Sequence, residues 1–535
     1  MKNLKYILIL LLLVPFSCID DKSKFGDTEI DEIEIAGIEK SREIEVGSKL
    51  EISPVVTTKF GEKSKLSYVW YKYNQEQHVA DTLSREKDLS VVIGDVLPGV
   101  ENTLVFKVID DQTGVYALNK STFTTVGKYS GGTLALCKTD GEMDLAMLKK
   151  DGTTLYENIY ATANNGEKLG TASKRIFQTD LYPRNPLAYK AVIVTCDDET
   201  GGVYLDPTIF ERKDDMKNKF VFGDELEGKL AITGYAEGQG TDYITMNGKV
   251  YVREYGSSEE NVSWNPALVF LADPTDYSMA DYTAHPTDHP FYASPLFYDN
   301  LNGRFTFNQQ GGFFSSLAGV DSDFSKFDPN NMGKGVKMIL SGSMNSTLDE
   351  VWALMKDENK DENKDEYFVI TYKFTFVAWT SYTFFSLSKS ALPKVSNAAL
   401  YSASIFIPGT KPKIGHMNPW EMSAKGISDI FFFVSNNKVM AFNVKTLSGG
   451  VLIDGDTEGY TVTSVDCTEV AAPTETDPKA SFVQLTLGVK DKKLSSKSGG
   501  IAVYRLNSIG GISAQKMYAK TGFCDEVIAT VEKTN

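Results

Sequence analysis

The chain reads as an all-β protein, a small immunoglobulin-like sandwich followed by a large β-propeller of seven blades. Three observations predict this. First, short alternating apolar and polar runs, bounded by Gly, Pro, Asn or Asp, follow one another with few helical patterns between them. Alternation of period two is the signal of half-buried strands. Second, hydrophobic runs return in pairs around tight turns such as Asp140-Gly141 and Asn247-Gly248. Such pairs suit the positive φ angles of type I′ hairpins. Third, the turn centres fall near residues 141, 201, 248, 303, 361, 437 and 500. That steady spacing points to one hairpin per blade. Two stacked β-sandwiches are the rival arrangement, and they would not require so regular a spacing.

The first element is a leader. Lys2 and Lys5 precede an apolar run from Tyr6 to Val14, and Pro15-Phe16-Ser17 leads into Cys18. This is the layout of a secretory signal with a small residue before the cleavage point. The apolar run is far short of the ~20 residues that span a bilayer as a helix. A Cys directly after the small residue resembles a bacterial lipobox, in which the thiol is acylated and the segment before it removed. Residues 1–17 are therefore read as a lipoprotein signal peptide and Cys18 as the lipidation site. The alternative is an ordinary cleaved signal with an incidental Cys. Pro15-Phe16 departs from the strictest lipobox and fits the looser one of Bacteroidetes. Asp20 and Asp21 resemble the acidic export signal behind the lipidated Cys in those bacteria. The expectation is an outer-membrane anchor facing the cell exterior, with residues 18–28 as a polar tether.

Residues 29–127 carry the sandwich. The runs IDEIEIAGI, REIEVGSKLEISPVV, LSYVWYKYN, LSVVI, NTLVFKVID and VYALNKSTFTTV suit six or seven strands. Trp70 lies in the third run, where such sandwiches bury an aromatic. The stretch has no Cys pair, which excludes the antibody-type disulfide. GKYSGG, residues 127–132, marks the boundary, and residues 128–535 are read as the propeller. Its hairpins are LALCKTDGEMDLAML, AVIVTCDDETGGVYL, YITMNGKVYV, LFYDNLNGRFTF, VWALMKDENKDENKDEYFVITYKF, DIFFFVSNNKVMAFNV and FVQLTLGVKDKKLSSKSGGIAVYRL. The last is expected to turn near Gly499-Gly500.

Composition limits the function. The 535-residue chain has a formal charge of −16, more negative still without Lys2 and Lys5. Nucleic acid needs basic patches that displace counterions, so it is not an expected partner. Docking on anionic lipid by charge is likewise disfavoured, leaving the acyl chains as the membrane contact. With 26 Tyr and 30 Phe, the chain is not acid-rich disorder. Cys137, Cys196, Cys467 and Cys524 show no CxxC spacing. Long-range disulfides would be permitted in an oxidising compartment, but the apolar flanks favour buried free thiols.

Candidate chemistry is sparse. There are four histidines. DYTAHPTDHP offers Asp281, His285, Asp288 and His289 as metal ligands, although Pro286 and Pro290 break the helix that would align the two imidazoles. A solvent-facing loop is the plainer reading. No GxSxG elbow occurs, and nothing singles out a carboxylate pair for glycoside hydrolysis. The loop with Asp321, Asp323 and Asp328 would accept a structural calcium through oxygen ligands but lacks the EF-hand glycine. No other cofactor is indicated. The insert from Asp357 to Glu366 reads as a solvated hairpin tip. Trp352 and Trp379 lie in strand-like runs and read as core. Trp264 and Trp420 lie beside Pro and Asn, hence on loops, where they would stack on a ligand or cap the core.

A lipobox, then VIDDQTGVYAL, then GGTLALCKTDGEMDLAML and LYENIYA together resemble the PKD-like surface lipoproteins of Bacteroidetes. The segment from Thr103 to Val126 is similar to the last hairpin of a PKD-like domain. The resemblance implies an accessory lipoprotein beside a SusC/SusD-like, TonB-dependent importer of oligopeptides or glycans. It carries over no catalytic residue, only Cys18. A non-catalytic ligand-capture component is thus the expected function. A tethered surface hydrolase or lyase, or an adhesin, is the alternative.

Overall fold

The computed structural model describes residues 32–61, 65–74, 79–93, 101–180, 190–237, 241–254, 263–270, 275–281, 296–309, 313–317, 328–343, 350–359, 366–377, 381–391, 430–443, 445–446, 448–472, 481–507 and 512–533. The chain divides into two compact units, Met1–Lys128 and Tyr129–Asn535.

The first unit holds β1 (Ile33–Ala36), β2 (Ser41–Glu45), β3 (Lys49–Ile52), β4 (Val55–Thr58), β5 (Leu66–Asn74), β6 (Val79–Ser84), β7 (Leu89–Val92), β8 (Glu101–Asp110) and β9 (Tyr116–Val126). The main sheet has the order β2-β9-β8-β5-β6, and β1 pairs with β4 and β3 with β7. The sequence run REIEVGSKLEISPVV, read as one strand, is three. Gly47 turns the chain at φ +80° between β2 and β3, and Pro54, which offers no N–H to a ladder, separates β3 from β4. The three pieces join three different sheets. This raises the strand number above the expected six or seven. The core gathers Ile44, Leu50, Ile52, Leu89, Leu104, Phe106, Val108 and Phe123 around a fully buried Trp70. The Trp70 ring stacks on Phe106 with centroids 4.2 Å apart. Its indole N–H donates to the Lys87 carbonyl at 3.1 Å.

The second unit is a succession of small sheets. The first contains β10 (Gly132–Thr139), β11 (Glu142–Lys149) and β12 (Leu155–Tyr156). The second contains β13 (Ser173–Asp180), β14 (Lys190–Cys196), β15 (Gly202–Leu205) and β16 (Arg212–Asp215). The third contains β17 (Ile232–Glu237), β18 (Thr241–Met246) and β19 (Lys249–Glu254). The fourth contains β20 (Val269–Phe270), β21 (Leu296–Asp299), β22 (Arg304–Gln309) and β23 (Phe313–Ser315). The fifth contains β24 (Val336–Ser343), β25 (Glu350–Asp357), β26 (Glu366–Val377) and β27 (Ser381–Ala391). The sixth contains β28 (Ile430–Ser435), β29 (Lys438–Asn443) and β30 (Ser448–Asp454). The seventh contains β31 (Tyr460–Ala471), β32 (Ser481–Asp491), β33 (Gly499–Asn507) and β34 (Ser513–Cys524). The final strand, β35 (Glu526–Lys533), returns to the first sheet and pairs antiparallel with β10, opposite β11.

These are the seven blades of a propeller among the described residues, one predicted hairpin in each. The hairpin turns follow the local chemistry. Asp140-Gly141, Asn247-Gly248 and Asn436-Asn437 all have positive φ, and each closes a two-residue loop. The seventh differs from expectation. Gly499 and Gly500 begin β33, and the turn lies before them, between Asp491 and Ser498.

Strands such as β10, β11, β15 and β21 are buried on both faces, so their sequences are nearly continuous apolar runs. Leu134, Leu136, Leu145 and Met147 of the first blade pack with Val192, Val194 and Leu205 of the second. The alternate residues Ala135, Cys137, Ala146 and Leu148 pack with Ile501 and Val503 of the seventh. Ala191 and Ile193 meet Ile232 and Ile244 of the third blade. Val250 and Val252 meet Phe270, Phe297 and Phe314 of the fourth. The fourth blade joins the fifth through the Tyr298 hydroxyl, which donates to the Val336 carbonyl at 2.9 Å. Sixth and seventh share a core containing Phe432, Val439, Leu485 and Leu487. β35 lies against β13 on one side and β31 on the other, so one strand from the C-terminus joins three blades.

Candidate functional site

The outer face of the sandwich's main sheet carries a cleft of about 520 Å³, lined by Lys40, Tyr71, Tyr73, Thr103, Val105, Lys120, Ser121 and Thr122. Strand register assembles it. In β5, Tyr68 and Trp70 belong to the core, so Tyr71 and Tyr73 fall on the opposite face or its edge by alternation. Tyr71 pairs with Val105, and Val105 with Lys120. Tyr73 pairs with Thr103, Thr103 with Thr122, and Thr122 with Ser41. Two parallel cross-strand rows result. Val105 faces outward yet is only 3% exposed, because Tyr71 and Lys120 flank it in its own row. It forms an apolar floor. Lys40, just before β2, and Lys120 are exposed at the rim.

The next row extends the same character. Lys107 lies with its ammonium 4.2 Å from the ring centroid of Tyr116, and Tyr116 and Leu118 are largely exposed. An acidic chain therefore carries a local strip of Lys40, Lys107 and Lys120 among aromatic and aliphatic surface. Flat phenol rings can stack on a sugar face or an apolar side chain, and ammonium groups can pair with an anion. Hydroxyls of Thr103 and Thr122 add donors and acceptors.

The residues singled out from sequence are placed differently. Trp264 is no open loop aromatic. It is fully buried in the core between the second and third blades. Its backbone N–H donates to the Lys219 carbonyl at 2.7 Å, its carbonyl accepts from Val221 at 2.9 Å, and the Arg253 guanidinium lies 4.7 Å from its ring centroid. Those bonds tie the loop to its neighbours and take the indole out of solvent. Asp281 is partly exposed and pairs with Arg175 at 3.7 Å. Asp328 accepts from the Asn330 N–H at 2.9 Å within a turn. Cys18, His285, Asp288, His289, Asp321, Asp323, Trp379 and Trp420 lie outside the described residues. Trp352 is buried, as expected of a strand residue.

Two buried carboxylates organise local backbone. Asp144 accepts from the Tyr160 N–H at 2.9 Å, at the start of a short helix (Ile159–Ala163), and from Lys168 at 2.8 Å. Asp299 accepts from Arg304 at 3.1 Å and from the Ser278 and Leu301 N–H groups at 3.1 Å. Both hold turns that position blade strands. The four cysteines Cys137, Cys196, Cys467 and Cys524 are all buried and unbridged. Burial pushes the Cys196 thiol up to about 11.

Residues 18–172 match the PKD-like family. That span covers the tether, the sandwich and the first blade's opening strands. A PKD-like domain in an all-β chain suggests a surface or extracellular protein. No curated protein matches the chain. Among solved structures, a quinonprotein alcohol dehydrogenase-like protein from Bacteroides thetaiotaomicron is similar at 13% identity, over 92% of this chain and 96% of that one, with a TM-score of 0.37.

Sequence reasoning looked for binding residues on propeller loops and missed the sandwich cleft. A signal was available in LSYVWYKYN. Aromatics on both phases of one strand cannot all enter the same core, so Tyr71 and Tyr73 had to face elsewhere.

Proposed function

We propose that this is a lipid-anchored surface protein that captures an oligopeptide or glycan for a SusC/SusD-like importer without turning it over. Cys18 would carry the acyl chains. The sandwich cleft supports this reading, since it is a concave, tyrosine-lined surface with lysines on its rim. The lysines favour ligands carrying carboxylate or sulfate groups over neutral ones. Exposed ion pairs contribute only about 0.2–1 kcal/mol each, so the tyrosine rings and the apolar floor must supply much of the affinity.

The test uses the mature chain with Cys18→Ala, titrated calorimetrically with acidic and neutral oligosaccharides and with acidic and neutral peptides. Acidic ligands are expected to bind, and to weaken as salt rises. Tyr71→Ala should weaken binding by roughly tenfold, the scale of one lost aromatic contact of about 1–1.5 kcal/mol. A ligand bound equally by the Tyr71→Ala, Lys120→Ala double variant would remove the cleft from the reading. Consumption of the ligand would replace capture with catalysis. Recovery of the tagged, lipidated protein with a SusC/SusD-like pair would support the importer role, and its absence from such complexes would overturn that part.

A further inference from the structure

Cys137 lies on β10 of the first blade and Cys524 ends β34 of the seventh. They are distant in sequence but belong to the same buried cluster, with Ala135, Phe523 and Val527. Strand pairing brings them close: Cys137 of β10 is opposite Val527 of β35, three residues after Cys524. Contact with the Cys524 thiol, followed by burial, pushes the Cys137 thiol well above its ordinary value. Backbone bonds hold both strands in place beside the pair. The Asp525 N–H donates to the Lys138 carbonyl at 2.8 Å, and the Asp140 N–H donates to the Asp525 carboxylate at 2.8 Å. Gly499 leaves the space the second thiol needs, since a Cβ there would come within 2.6 Å of the Cys524 sulfur. The other two described cysteines have different surroundings. Cys196 lies 2.9 Å from the Ser173 hydroxyl, and Cys467 is buried between the sixth and seventh blades.

We propose that Cys137 and Cys524 form a dithiol that closes to a disulfide across the seam between the first and last blades when the chain folds in the presence of a disulfide donor. One cysteine thiolate attacks the donor disulfide, forms a mixed disulfide and releases one donor thiolate. The second cysteine, as its thiolate, attacks the protein sulfur of that mixed disulfide and releases the other donor thiolate. The two protein protons end on the two donor thiols, so two protein thiols are oxidised and one donor disulfide is reduced. Both sulfurs are nearly inaccessible in the closed ring, at 5% and 1% residue exposure. Exchange therefore precedes closure, and the finished bond is shielded from reductants. The site is independent of the sandwich cleft, and failure of the ligand reading would leave it untouched.

The experiment uses the mature chain with Cys18→Ala, unfolded in guanidinium and refolded with either oxidised or reduced glutathione. Denaturing alkylation and peptide mapping follow. After oxidised refolding, Cys196 and Cys467 should be alkylated, and one cross-linked peptide should join Cys137 to Cys524. After reduced refolding, all four should be alkylated. The cross-linked protein should unfold at a higher guanidinium midpoint, with the gain lost on reduction. Four alkylated cysteines after oxidised refolding, or a cross-link joining any other pair, would overturn the proposal. The decisive mapping needs no Cys137 or Cys524 variant, so a substitution that fails to fold cannot obscure the result.

Discussion

Trp70 offers the sharpest test of how the sandwich is held together. It is fully buried, stacked on Phe106 at 4.2 Å, and bonded through its indole N–H to the Lys87 carbonyl. Trp70→Phe keeps an aromatic ring but removes the indole N–H and part of the volume. The lost hydrogen bond accounts for about 1 kcal/mol, and the unfilled volume for about 1–2 kcal/mol more. Trp70→Ala removes the whole ring and should cost about 3–5 kcal/mol. For a domain near 100 residues, each kcal/mol lowers the melting temperature by roughly 4–8 °C. Trp70→Phe should therefore lower the sandwich transition by about 10–20 °C, and Trp70→Ala should leave it close to unfolded at ambient temperature. Calorimetry of the whole chain measures the shift. Hydrogen exchange on peptides covering β8 and β9 assigns it to this unit, and propeller peptides should keep their protection. A Trp70→Phe protein melting within about 2 °C of the parent would refute the account of the core. Equal costs for Phe and Ala would show that the N–H bond, and not the ring, carries the contribution.

Two further outcomes follow from the propeller. Gly202 has φ +118°, and a Cβ there would come within 2.1 Å of the Val194 carbonyl oxygen, whereas Gly141 at φ +86° has open space around it. Gly202→Ala should cost more than about 2 kcal/mol and Gly141→Ala about 1 kcal/mol, read as denaturation midpoints; the reverse order would contradict the packing of the second blade. Asp276, Asp454 and Asp456 are held below the usual carboxylate range, chiefly by hydrogen bonds from Lys249, Lys438 and Lys492 respectively. Their contribution is fully present above the ordinary aspartate value of about 4 and is lost as pH falls through the lowered values. Thermal midpoints measured in a pH series should thus be insensitive to these groups above that value and fall below it. Lys438→Met together with Lys492→Met should flatten the acid limb, and an unchanged limb would count against these pairs.

The seven hairpins were legible because a tight turn is a local matter. Asn247-Gly248 accepts positive φ whatever surrounds it, and its flanks alternate or run apolar because both faces of a blade strand are covered. Strand division was less legible. REIEVGSKLEISPVV contains its own breaks at Gly47 and Pro54, yet only pairing shows that each piece belongs to a different sheet. Trp264 took the core-capping alternative, and not the ligand-stacking one, for a related reason. Its Pro and Asn neighbours are genuine loop residues, but loop backbone can still carry a side chain into the core when bonds to Lys219 and Val221 hold it there. The cleft was the least legible feature. Tyr71, Val105 and Lys120 come from three strands and Lys40 from the residue before a fourth, and register alone brings them into adjoining rows.

The same dependence on register explains why the closing seam matters to the propeller. A blade in the middle of the chain has neighbours supplied by adjacent sequence. The first blade does not, since its β10 would present an open edge without β35. The strand that covers that edge also contributes Val527 to the core shared with the seventh blade and Val531 to the core shared with the second. A register shift opposite Leu136 and Cys137 breaks the alternation of β35, so these two valines, four residues apart, serve opposite blade interfaces. Losing the strand would expose an unpaired edge and two apolar faces together. Opening the ring at the C-terminal strand would therefore expose both interfaces together, in the core that also holds Cys137 and Cys524.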